Sequence, residues 1–112
     1  MSKEDFAKAY ENANTKKLKK YINNSKVLST KEIVKYMADS LFNPKVLDIM
    51  ICISFAQYNF NKIVSAIIKL DNVELLEKVL DYDDSQKLDI NLIQKTLPNG
   101  RISMAKMIYE YV

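Results

Sequence analysis

An all-α fold, a small α-solenoid of about four helix-turn-helix units, is expected from three observations. The chain is self-similar at an interval of 29 residues, asparagines recur at that interval, and apolar residues follow each asparagine with the spacing of one helix face. Shifted by 29, four segments align: "EDFAKAYENANTKKLKKYINN" from Glu4, "IVKYMADSLFNPKVLDIMICI" from Ile33, "KIVSAIIKLDNVELLEKVLDY" from Lys62 and "NLIQKTLPNGRISMAKMIYEY" from Asn91. Asn14, Asn43 and Asn72 share a column with Arg101. Leu18, Leu47 and Leu76 share another with Ala105, and Tyr21, Met50, Val79 and Ile108 fill a third.

In the first unit (residues 4–32), Phe6, Ala9, Tyr10 and Ala13 predict a helix, and Asn14 then predicts the start of a second. Asparagine suits that place because its side chain accepts a hydrogen bond from an otherwise unpaired amide of the first helical turn. In the second unit (33–61), Ser29 followed by Glu32 is a capping-box signature ahead of Ile33, Val34, Met37, Ala38 and Leu41. Pro44 behind Asn43 stands where its missing N–H costs nothing, so another helix begins there.

In the third unit (62–90), "KIVSAIIKL" is rich in β-branched residues, and a strand is the alternative. It lacks strict alternation, and Ala9 and Ala38 occupy the matching columns, so a helix is expected. The fourth unit (91–112) offers Leu92, Ile93 and Leu97, a turn at Pro98-Asn99-Gly100, and a last helix in "ISMAKMIYEYV". The connectors between units are expected at Asn23–Ser29, Tyr58–Asn61 and Asp83–Asp89.

With 112 residues, 48% of them hydrophobic, residues 1–112 are expected to form one domain with material for one core. The absent residue types exclude much chemistry. Without histidine and with one cysteine, the usual zinc sites and the Ser-His-Asp or Cys-His nucleophile systems cannot be built. With Gly100 the only glycine, a phosphate-cradling loop is excluded. The acidic run Asp81–Ser85 lacks the glycine and glutamate of a calcium loop, since Gln86 and Leu92 stand in those places. The chain is therefore expected to be no enzyme, with no catalytic residue, metal or cofactor.

Cys52 lies in the apolar run "IMICISFA", where a packed thiol is expected. That run is far shorter than the roughly 20 residues of a membrane span. The opening "MSKEDFAKAY" lacks the apolar stretch of a signal peptide, so a cytoplasmic location is expected.

"YMADSLFNPKVLDIMI" (residues 36–51), "SAIIKLDNVELLEKVL" (65–80) and "TLPNGRISMAKMIY" (96–109) resemble the ankyrin repeat, with its alanine-bearing first helix, turn and second helix with paired apolar positions. The Thr-Pro-Leu-His opening and the loop glycines are missing, and the interval is 29 rather than about 33, which implies a divergent, hairpin-poor relative. The resemblance implies non-enzymatic protein binding through exposed residues of the first helices: Lys35, Tyr36, Asp39 and Lys69, with Lys8, Glu11, Ser65 and Lys95 in the same register. Lysine, asparagine, isoleucine and tyrosine usage suggests an AT-rich coding sequence. A small viral or host-directed modulator, acting in the host cell if viral, would fit.

Two terminal features bear on partners. Lys16, Lys17, Lys19 and Lys20 form a basic patch, and Lys17 and Lys20 occupy columns held by Val46 and Ile49 in the next unit. A first repeat has no neighbour on one side and needs a polar outer face, which accounts for these lysines better than nucleic-acid contact does. Nucleic-acid contact would favour interleaved aromatic or arginine residues, and Arg101 is the sole arginine. A nucleic-acid-associated regulator stands as the alternative function.

At the other end, apolar residues nearly surround the last helix. Either that helix tucks against the body, or Met104, Met107, Tyr109 and Tyr111 leave an adhesive patch for a protein partner or for a homodimer. Charge is divided as well: residues 1–35 hold nine lysines and four acids, whereas residues 71–90 hold seven acids and two lysines.

Overall fold

The computed structural model describes residues 2–24, 26–82, 86–91 and 102–111. Within them the chain is helical, with no strand. In order these are α1 (Lys3–Glu11), α2 (Thr15–Lys20) running into a 3-10 turn (Tyr21–Asn23), α3 (Thr30–Asp39), α4 (Pro44–Gln57), α5 (Phe60–Leu70), α6 (Val73–Tyr82) and α7 (Ile102–Tyr111). The chain divides into two compact units, Met1–Tyr58 and Asn59–Val112. No helix among the described residues is long and apolar enough to cross a membrane. The expected helix at Leu92, Ile93 and Leu97, the turn at Pro98-Asn99-Gly100, Lys95, Arg101, and Asp83, Asp84 and Ser85 of the acidic run lie outside the described residues.

Helix starts follow the side chains that cap them. Asn14, Asn43 and Asn72 accept from the amides of Lys17 (3.2 Å), Val46 (3.4 Å) and Leu75 (3.0 Å), the same bond at intervals of 29 residues. Asp71, just before Asn72, has φ 58, and Ala13, just before Asn14, has φ 47. A non-glycine residue in this left-handed region is disfavoured, and two such residues mark the tightness of these turns. Ala13 consequently leaves the helix in which the apolar pattern placed it.

The first helices keep a different interval. Ser2 caps α1, Ser29 caps α3 and Asn59 caps α5, so their caps stand 27 and 30 residues apart. Phe6, Ile33 and Ile63 are each the fourth residue beyond the cap, and none is more than 1% exposed. Connector length varies while the cap-to-core distance is fixed by the helix itself. One connector is also shorter than expected, because Asn59 accepts from Lys62 N–H at 3.2 Å and thereby makes Phe60 and Asn61 helical.

In the unit Met1–Tyr58, α4 packs against α2, the 3-10 turn and α3. Val46, Leu47, Ile49, Met50, Ile51 and Ile53 are all buried, so the apolar run predicted for a core forms a helix covered on most sides, with Cys52 half-buried in it. Phe6 meets Tyr21 edge-on at 4.9 Å and Tyr36 at 5.1 Å, and Tyr10 meets Tyr36 at 4.6 Å. These aromatic contacts join α1 to the 3-10 turn and to α3.

Gln57, at the end of α4, donates from Nε2 to the carbonyls of Tyr21, Ile22 (3.4 Å) and Asn24 (2.8 Å), tying α4 to the 3-10 turn and the residue after it. Tyr58 donates to the Leu28 carbonyl at 2.7 Å, with the Lys26 ammonium 4.5 Å over its ring. Burial pushes the Tyr58 phenol above its ordinary pKa.

In the unit Asn59–Val112, α5 packs on α6, and α6 on α7. "KIVSAIIKL" is helical, with Ile63, Val64, Ile67 and Ile68 wholly buried. Leu75, Leu76 and Val79 of α6 are equally buried, and Met104 and Ile108 of α7 are each 1% exposed. Asn61 accepts from Asp89 N–H at 2.7 Å and ties Asp89 to α5.

Candidate functional site

Helix α7 has an inner and an outer face. Met104 and Ile108, four residues apart, form the buried stripe against α6, while Ile102 and Tyr109, seven apart, lie on the opposite side at 77% and 54% exposure. Met104 therefore cannot belong to an exposed adhesive patch: a helix that buries one stripe turns the residues half a turn away outward, and Met104 is in the buried one. Tyr111 is half-buried. Its hydroxyl donates to the Gln86 carbonyl at 2.6 Å and its ring lies 6.0 Å from that of Phe60, so it anchors the end of α7. Of the four residues expected to form the patch, Tyr109 is exposed, Met107 is half-exposed, and Ile102 joins them from outside the expected set.

Beside the outer face runs a groove of about 520 Å³ between α6 and α7. Leu80 and Met107 provide apolar lining, and Glu77, Asp81, Glu110 and Lys106 line it with charge. Among the described residues no ion pair engages these three carboxylates.

The four lysines of α2, Lys16, Lys17, Lys19 and Lys20, are all exposed, and Leu18 between them is fully buried. Lys17 and Lys20 line a second groove, of about 310 Å³, with Lys8, Asp5 and Tyr21. Asp5 is committed locally: it accepts from Ser2 N–H at 3.2 Å, and the two hydrogen bonds with Ser2 hold its carboxyl below the ordinary value. Among the described residues no ion pair engages the lysines of this groove.

The first-helix residues implied by the ankyrin resemblance do not form one type of surface. Lys35, Asp39 and Lys69 are exposed, whereas Tyr36 is half-buried in the aromatic cluster and its carbonyl accepts from the Tyr10 hydroxyl at 3.3 Å. Phe42, in the turn between α3 and α4, is 87% exposed. Phe42 falls in the turn column of Ala13, Asp71 and Gly100, and a large apolar residue among small and polar ones was the sequence signal for it. Among the described residues no three metal-ligating side chains converge. The chain matches no family model, no curated protein and no solved structure.

Proposed function

We propose that this chain is a non-enzymatic protein-binding module, built as a hairpin-poor, ankyrin-like array of helix pairs, and that the outer face of α7 is its principal contact. The observation that carries it is the exposure of Ile102 and Tyr109 on a helix whose inner face is already filled by Met104 and Ile108. The solvent-exposed parts of Ile102 and Tyr109 are apolar surface that a protein partner would bury. The array reading is supported by the three asparagine caps at one interval and by the burial of Leu18, Leu47 and Leu76 in the same column.

The test is a comparison of the natural chain with the double variant Ile102→Lys plus Tyr109→Lys in cross-linked pulldowns from its own cell. The variant keeps its helical circular dichroism and loses a defined set of captured proteins. An unchanged set would overturn the assignment of α7.

A nucleic-acid-associated regulator is the second reading, favoured by the four exposed lysines of α2. If all four met phosphates of a duplex, the double-logarithmic salt slope of affinity would be about −3.6. Absence of duplex binding at low salt removes that reading.

A further inference from the structure

The two grooves are near mirror images in charge. The one on α1 and α2 carries Lys8, Lys17 and Lys20 with Asp5, whereas the one on α6 and α7 carries Glu77, Asp81 and Glu110 with Lys106. All eight side chains belong to exposed residues, and within the described residues neither the three lysines nor the three carboxylates are spent in ion pairs. Each groove thus meets water with the charge that the other lacks.

We propose that this chain associates with itself head to tail: the basic groove of α1 and α2 on one copy docks on the acidic groove of α6 and α7 on the next. Like grooves repel, so a symmetric pairing of two basic or two acidic grooves is disfavoured and the contact joins two different surfaces. A contact between two different surfaces leaves the other groove of each copy unused, and copies add on further unless a rotation closes the assembly.

Apolar lining fits the same occupant. Lysine stems are hydrocarbon, and Leu80 and Met107 give them a surface while the ammonium groups reach the carboxylates at the rim. The proposal rests on the reading of the chain as an interaction module and names a second copy as the occupant of one of its grooves.

Sedimentation equilibrium or light scattering on the full chain tests it at two salt concentrations. In about 10 mM salt, where charges are felt over roughly 30 Å, the weight-average mass rises with concentration above the 13.0 kDa monomer. In 0.3 M salt, on the order of a Debye length of a few Å, it returns to the monomer. Lys17→Glu plus Lys20→Glu abolishes the rise, and so does Glu77→Lys plus Asp81→Lys. An equimolar mixture of the two variants restores it, because each then presents the charge that the other needs.

A monomeric natural chain at every concentration in low salt would overturn the proposal, as would a mixture that fails to associate while both variants remain folded. Loss of association in Ile102→Lys plus Tyr109→Lys, with both groove variants still associating, would also overturn it. Copies would then meet through the outer face of α7, and the interaction-module reading would stand without the grooves. Intact partner capture by a strictly monomeric chain separates the two readings in the same way.

Discussion

Helices α2 and α7 meet the interior in the same way and meet water in opposite ways. Each buries residues four or fewer positions apart: Leu18 with Tyr21 just beyond α2, and Met104 with Ile108 on α7. On the outside, α2 carries four lysines, whereas α7 carries Ile102 and Tyr109. The difference teaches that packing constrains only the residues that face inward. Outer residues are free of that constraint, and any selection for a partner is expressed there.

The largest expected effects test the shared half of the comparison. Leu18→Ala and Ile108→Ala each remove a buried side chain from a filled stripe, and each should lower unfolding stability by about 2–5 kcal/mol in urea melts. A loss below about 1 kcal/mol for Ile108→Ala would show that α7 is not held as firmly as α2. Next comes the carbonyl cluster behind α2: Gln57→Ala leaves the acceptors on Tyr21, Ile22 and Asn24 without that donor and should cost about 1–3 kcal/mol. The caps sharpen the comparison on a smaller scale, since Asn14→Ala and Asn72→Ala each remove one cap bond and should cost about 0.5–2 kcal/mol. On the outside, Ile102→Lys should change stability by no more than about 0.5 kcal/mol.

The smallest effect is a dependence on pH. Glu32 accepts from Ser29 N–H at 2.9 Å and pairs with Lys3 at 3.0 Å, and the bond from Ser29 followed by the bond from Lys3 holds its pKa at about 2, below the ordinary 4.5. A depressed carboxyl pKa contributes stability that is fully present above the unfolded value and is lost as pH falls through the folded one. Glu32→Gln should therefore be less stable than the natural chain above pH 4.5, and the gap should close as pH falls from 4.5 toward 2. A gap independent of pH over that window would show that the carboxylate charge contributes nothing.

Much of the fold was legible because its signals are local. An asparagine cap needs only its own helix turn, and the capping box at Ser29 and Glu32 forms as its spacing indicates, with Glu32 N–H donating to Ser29 at 3.1 Å. The box at Ser2 carries aspartate in place of glutamate at its last position, Asp5, and escaped the usual signature. Candidate surfaces were less legible. Lys16, Lys17, Lys19 and Lys20 could be expected outside from charge alone, but Met104 and Tyr36 could not be assigned to a face without knowing what packs opposite them.

By itself the sequence determined that the chain is helical, where α2, α4 and α6 begin, and which of their columns face inward, because capping and the 3.6-residue period act within a few residues. Only the tertiary structure decided the register of α1, α3 and α5, the burial of Met104 and the exposure of Ile102, Tyr109 and Phe42, and the gathering of like charges along two grooves. Those outcomes depend on connector lengths and on neighbours distant in sequence, and burial is a property of the pair of surfaces that meet.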